Sequence, residues 1–263
     1  MLRVATWNVN SIRVRRDLVI KWIKSKGINC AGFQEVKVEP LLYPYRSFKE
    51  VGYSCYVHSQ KAYNGVAVCT EIEPKEVIKG WPDGEEDEKR IITVKFPNFS
   101  LVNVYVPRGG VKGTERHAYK IYFLTKLKLF LEENFSPEDL LIVLGDFNVA
   151  LTEIDVYDPE IWRGRIGFME DEREALKELL SFGLYDLFRK FHPNERKYTW
   201  WDIETGAFSR NQGLRIDYIF VTKPLLERAV ECDIDVEPRK RKGKILPSDH
   251  APVYATFDLK GGR

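Results

Sequence analysis

Polar side chains of the kinds that bind hard cations and move protons punctuate the apolar runs of this sequence. Asn8 follows an apolar run in TWNVN, Glu35 closes another in FQEV, and Asp146 and Asn148 close LIVLGDFN. Asp217 lies inside the apolar run RIDYIF, and Asp249 and His250 in SDHAPV immediately precede the last one. Any one of these is as readily a turn cap, because Asn and Asp side chains hydrogen-bond their own backbone at chain reversals. Their repetition at the ends of several runs is what points to a shared site.

An aspartate flanked by Ile216 and Tyr218 on a core strand carries a desolvation cost unless something pairs with it. His250 is the natural partner for Asp217. The carboxylate then fixes the imidazole tautomer, raises its pKa and turns the other ring nitrogen toward a substrate oxygen. Carboxylates without Cys or His at ligand spacing suit a hard cation, and Mg²⁺ in particular is held by one or two carboxylates plus waters and substrate phosphate. Glu35 is the first choice for ligand. The chain has no P-loop, GxSxG elbow or HExxH, so ATP hydrolysis, serine acyl transfer and zinc proteolysis have no support. The residues by themselves lead to metal-assisted phosphoester hydrolysis with the substrate open.

The elements that must position these groups are mostly strands. Apolar or alternating β-branched runs occupy 2–7, 28–34, 53–58, 65–70, 90–96, 100–106, 140–145, 215–222, 228–234 and 252–258. Helical patterns run from Arg13 to Lys26, Glu115 to Glu133 and about Asp171 to Phe182. So few helices cannot supply the crossovers of a doubly wound parallel sheet. Two sheets packed face to face with helices outside is the α/β solution, and with no linker or repeat the 263 residues are expected to form one domain. The segment Leu151 to Met169 lacks periodicity, and long irregular loops in compact domains are usually functional.

Composition sets outer bounds. Hydrophobic residues at 44% supply a full core, and 41 Lys plus Arg against 39 Asp plus Glu leave a net charge of only +2, which advertises no polyanionic partner. Charge is instead local: 83–88 reads DGEEDE, and 239–244 reads RKRKGK, a run suited to phosphates or to solvent. Cys30, Cys55, Cys69 and Cys232 show no CxxC pair, so four buried free thiols in a reducing compartment are expected. The first strand begins almost at Met1, and no apolar run approaches ~20 residues, so an intracellular, cytoplasmic protein without signal peptide or membrane span is expected.

In this order the residues resemble the exonuclease III family of abasic-site endonucleases, within the wider endonuclease, exonuclease and phosphatase superfamily. The resemblance covers nearly the whole chain and rests on TWNVNSIR from Thr6, FQEVK from Phe33, NVYVP from Asn103, ERHAYK from Glu115, GDFNVA from Gly145, YTWWD from Tyr198, NQGLRIDYIFV from Asn211 and SDHAPV from Ser248. It implies a four-layer α/β sandwich of two mixed sheets with flanking helices. It also implies a DNA-repair nuclease of base excision repair, cutting duplex DNA on the 5′ side of an abasic site to leave 3′-hydroxyl and 5′-deoxyribose phosphate ends. Some 3′ to 5′ exonuclease or 3′-end-cleaning activity would accompany this. Residue by residue, Glu35 would bind Mg²⁺, with Mn²⁺ able to substitute, and Asn10 and Asp249 would lie near the metal. Asp146 would orient and deprotonate the attacking water with support from Asn8, and Asn148 would hold the phosphate. His250, oriented by Asp217, would stabilise phosphoryl charge, and Tyr105 would assist the phosphate or leaving group. Trp200, Leu214 and Ile216 match the apolar pocket for a flipped-out baseless sugar, and Asn211 opens the same motif on the substrate side. Where the family usually follows YVP with Asn, this chain has Arg108, whose guanidinium can also grip phosphate.

The Glu, GDFN and SDH elements also occur in phosphatases and sphingomyelinases of the superfamily, whereas YTWWD and GLRIDYIFV favour DNA. A phosphoesterase acting on a small molecule or lipid is therefore the alternative enzyme, and a non-catalytic nucleic-acid-binding module the alternative of another class. A monomer acting on duplex DNA is the expected assembly.

Overall fold

The computed structural model describes residues 1–260. Its strands are β1 Leu2–Asn8, β2 Cys30–Gln34, β3 Ser54–His58, β4 Val66–Thr70, β5 Glu76–Lys79, β6 Ile91–Lys95, β7 Ser100–Tyr105, β8 Leu141–Asp146, β9 Leu184–Asp186, β10 Trp200–Trp201, β11 Gly213–Leu214, β12 Asp217–Thr222, β13 Ala229–Ile234 and β14 Val253–Phe257. Its helices are α1 Ile12–Ser25, α2 Tyr45–Lys49, α3 Glu115–Asn134, α4 Pro159–Trp162, α5 Glu170–Leu180, α6 Leu187–Phe191 and α7 Lys223–Arg228.

Two six-stranded sheets result, ordered β13-β14-β1-β2-β4-β3 and β5-β6-β7-β8-β12-β9. Each holds one parallel pair, β1 with β2 and β7 with β8, and its other neighbours are antiparallel. The two parallel pairs are the ones joined by the long helices α1 and α3, because a parallel return needs a crossover long enough to carry the chain back. Inner faces of both sheets supply one shared core, including Val4, Val68, Leu101, Leu144, Ile219 and Val253. Val19, Trp22 and Ile23 of α1 cover the outer face of the first sheet, and Phe123, Leu127 and Leu176 of α3 and α5 cover that of the second. The expected four layers are present.

The hydrophobic pattern located the central strands because they are buried on one or both faces. It did not register β5, whose residues are all half-buried or exposed, or the two- and three-residue strands β9, β10 and β11. The expectation of four free thiols needs correction. Cys55 and Cys69 face each other across β3 and β4, their Cα atoms 4.1 Å apart, and are joined in a disulfide; Cys30 and Cys232 are free and buried. Pair spacing along the chain carries no sign of a cross-strand partner, which depends on register alone. No helix of the described residues is long and apolar enough to cross a membrane.

Candidate active site

The parallel strands β1 and β2 of one sheet and β8 of the other bring Asn8 and Asp146, the last residues of β1 and β8, and Glu35, the residue just after β2, to one place. The Asn8 amide nitrogen donates to Glu35 Oε1 at 2.8 Å and to Asp146 Oδ2 at 2.9 Å, so one buried amide holds both carboxylates. Gly145 makes the last turn of β8 possible: it has φ of 149°, and a Cβ there would stand 1.9 Å from the Val104 carbonyl oxygen. Asp146 Oδ1 accepts from the Asn148 backbone N–H at 2.9 Å, and the Asn148 side chain donates to the Val106 carbonyl at 2.9 Å. Asn10, Ser11, Glu35, Lys37 and Asn148 all have positive φ. Such conformations are costly for residues with a Cβ and accumulate where a site dictates the backbone.

The anticipated contact between Asp217 and His250 is present, with Nδ1 2.8 Å from Asp217 Oδ2, and the other ring nitrogen lies 3.7 Å from Asp146 Oδ2. Asp217 sits directly opposite Asp146 on the antiparallel pair β12 and β8. Burial pushes the Asp146 carboxyl up to about 8, and the charges of Asp217 and Glu35 add to this while His250 and Asn8 oppose it. Burial pulls the His250 imidazole down, but Asp217, Asp146 and Asp249 outweigh it and raise the ring to about 10. Tyr105 is held well above the usual phenol range by burial and by Glu35 and Asp146.

Glu35, Asp146 and His250 each offer an atom to a group spanning no more than 4.8 Å. Beside them the Lys37 ammonium donates to Asn10 Oδ1 at 2.6 Å and lies 3.0 Å from Glu35 Oε2, so these oxygens already converge on one positive charge. The oxygen-rich donor set and its excess negative charge fit a hard divalent cation. Asp249 stands at the edge: Oδ1 faces the Asn10 amide at 3.4 Å, and Oδ2 accepts from the Trp200 indole at 3.0 Å.

A cleft of about 1020 Å³ opens over these groups. Tyr105, Arg108, Asn148, Trp200, Leu214 and Ile216 all line it, as do Asn10, Glu35, Asp146, Asp249 and His250. Asn8 and Asp217 lie behind the lining and orient what is in front. Asn211 is elsewhere: exposed, with its Oδ1 accepting from the Trp201 indole at 3.1 Å. Leu214 and Ile216 join Ala150, Val156 and Phe168 in a small apolar cluster against which Trp162 and Trp200 pack. Trp162, on α4 within the irregular segment 151–169, meets Trp200 edge-on with ring centroids 6.4 Å apart. The basic run 239–244 is outside the lining, with Lys240 and Lys242 paired to Glu237. Sequence reasoning did not identify Lys37 or Arg15 as site residues, and it singled out Trp162 only as part of the irregular segment 151–169. Lys37 was visible two positions after Glu35, and the Arg15 guanidinium, donating to the Asn10 carbonyl, projects from the face of α1 that also buries Ile12 and Val19.

Comparison with known proteins gives the same picture. The Endonuclease/Exonuclease/phosphatase family matches residues 5–250. Exodeoxyribonuclease III of Haemophilus influenzae is 32% identical, over 97% of this chain and 100% of that relative. An AP endonuclease from Archaeoglobus fulgidus superposes with a TM-score of 0.94 at 39% identity, covering 98% of this chain and 100% of that one. A 3′ phosphatase from Neisseria, bound to a product DNA hairpin, superposes with a TM-score of 0.92 at 32% identity over 98% and 100%. With its two-sheet fold, its carboxylate and histidine cluster and full-length relatives of these kinds, the chain belongs to the endonuclease/exonuclease/phosphatase family, in the branch of exodeoxyribonuclease III and the AP endonucleases.

Proposed function

We propose that this protein is a Mg²⁺-dependent nuclease that hydrolyses the phosphodiester on the 5′ side of an abasic site in duplex DNA, acting as a monomer and a single catalytic domain. The observation that carries the reading is Asp146: a buried carboxylate fixed by Asn8 and the Asn148 N–H, facing His250, next to an apolar cup on one cleft. Fixed on both oxygens and facing the cleft, the Asp146 carboxylate is placed to take a proton from the attacking water, and a divalent cation beside it would favour its ionised form. His250, oriented by Asp217, presents its other ring nitrogen to the phosphoryl oxygens, and Asn148 and Arg108 hold the phosphate from the opposite wall. Tyr105 faces the same centre with its phenol proton retained. A divalent ion held by Glu35 with Asn10 and Asp249 nearby would supply charge neutralisation on the phosphate and leaving oxygen. Trp200, Leu214 and Ile216 admit a sugar without its base, since an abasic nucleotide largely avoids the unstacking cost of flipping. The Neisseria relative favours a companion 3′-end-processing activity at the same centre.

The test is a duplex with one abasic analogue, incubated with Mg²⁺ or with chelator, followed by analysis of the ends. The expected products are a 3′-hydroxyl and a 5′ sugar phosphate, formed only with the metal. Full activity in excess chelator, or a borohydride-trapped adduct on the normal pathway, would contradict the reading.

A further inference from the structure

Three loops from separate parts of the chain line the cleft: one after β7 with Arg108, one after β8 with Asn148, and one entering α5 with Gly167 and Met169. Behind them α3 and α5 bring together Lys120 and Glu172, both side chains wholly buried, with Nζ 2.7 Å from Oε1. The ammonium also donates to the carbonyls of Asn148 at 2.7 Å and Arg108 at 3.1 Å, which uses all three of its protons. The second carboxylate oxygen, Oε2, accepts the backbone N–H of Gly167 at 2.8 Å and of Met169 at 3.1 Å. Gly109 packs against the lysine stem so closely that a Cβ would come within 2.8 Å of its Cδ.

A buried ion pair is a poor device for stability, because desolvating both charges offsets their attraction, and well-packed apolar replacements are often neutral. What this one supplies is direction. Each partner grips backbone rather than side chains, and the four gripped residues all line the cleft.

We propose that Lys120 and Glu172 are positioning residues for the reaction. Through the backbone of residues 108, 148, 167 and 169 they fix the phosphate-holding wall, carrying Asn148 and Arg108, against the wall made by the segment that runs from Trp162 to Met169. They thereby set the cleft width at the scissile phosphate. The inference rests on the function proposed above only for the identity of that phosphate.

The experiment is the apolar double variant Lys120→Met/Glu172→Leu, compared with the parent in thermal unfolding, amide exchange and steady-state kinetics. Exchange at Gly167 and Met169 should accelerate at least tenfold, and kcat should fall on the order of 10- to 100-fold, the cost of misplacing reacting groups by about an ångström. KM for DNA should change less than about threefold, since the phosphate-gripping side chains themselves are intact. A folded double variant with parental kcat, or one whose only loss is in Tm or in KM, overturns the proposal. If the double variant does not fold, Glu172→Gln decides: its amide turns a donor toward the two loop N–H groups while keeping an acceptor for Lys120. It should then lose kcat severalfold, and parental kcat overturns the proposal. Failure of the parent to cut the abasic duplex would count against the proposed function instead. The positioning claim would then be read from the exchange arm and from whichever DNA phosphoester the parent does turn over.

Discussion

Two clusters of buried acids lie close together in this molecule and are treated in opposite ways. Asp155, wholly buried, accepts from Arg215 Nε at 2.7 Å and from Arg189 Nη2 at 2.5 Å, while its second oxygen accepts from Thr152. Arg215 also grips Asp186 with both terminal nitrogens, at 3.0 and 2.6 Å. Burial alone would push the Asp155 carboxyl up, but the two guanidinium groups outweigh it and hold it below the usual range. Asp146 is equally buried, and has another carboxylate opposite it, a third within reach of the same amide, and no guanidinium. Its shift runs upward. A protein that can neutralise a buried acid as fully as it does Asp155 has left Asp146 without a guanidinium in the cleft where the proposed function puts a cation and a proton transfer. The contrast separates an anchor from a reaction centre more sharply than burial does.

Substitution should reverse the two clusters' behaviour. Asp146→Asn is expected to lower single-turnover incision by ~10² to 10⁴ while leaving urea stability unchanged or raised, because it removes a carboxyl whose ionisation is opposed by burial and by the neighbouring acids. Asp155→Asn should do the converse, costing ~3 to 5 kcal/mol of stability by stranding two buried guanidinium groups, with near-parental turnover per folded molecule. The comparison breaks if Asp155→Asn cuts turnover without affecting unfolding, or if Asp146→Asn unfolds the protein without a change in rate.

A pH series sharpens it. Folding depresses the Asp155 pKa, so its stabilisation is complete above the unfolded aspartate value of ~3.9 and is lost as pH falls through the lower folded value. The stability gap between parent and Asp155→Asn should therefore be flat from about pH 5 to 8 and close in acid. A gap that widened below about pH 4 would show that the carboxylate is not held by its arginines. The smallest effect concerns selectivity: at saturating Mg²⁺, which is needed because the Trp200 indole also holds Asp249, Trp200→Ala should narrow the preference for abasic over intact duplex by roughly tenfold or less, the scale of one apolar contact. An unchanged ratio, measured at one salt concentration in a folded variant, would make Trp200 ordinary packing and place selectivity in the deformation of the DNA.

Much of the candidate site was legible because its residues lie at strand ends, where an apolar run ending in Asn, Glu or Asp stands out against its own surroundings. Asp217 was legible for the opposite reason, as a charge inside such a run. The anchoring residues were harder to see. Lys120 falls on the buried stripe of α3 with His117, Phe123, Leu124 and Leu127, and a lysine at that spacing is a signal that only a partner 52 positions later explains. Asp155 and Trp162 sit in a segment without periodicity, whose order comes from Arg189, Arg215 and the Val156 bridge to Leu214. Pattern in a single stretch reports what that stretch buries, not the distant chain that buries it. The Cys55–Cys69 link escaped for the same reason.

The last strand has a consequence for the protein's life before folding is finished. β14 inserts between β13 and β1, and the loop just before it returns His250 to the first strand, where the Trp7 indole donates to its carbonyl across 243 positions of sequence. Contacts so distant close late and slowly. A growing chain therefore carries Asn8, Glu35 and Asp146 well before the histidine that faces Asp146, and a fragment truncated before residue 250 has the acids without that ring. The two ends of the fold must meet before the ring held by Asp217 stands over the acids, so the cluster is a property of the closed sandwich and of no single stretch of it.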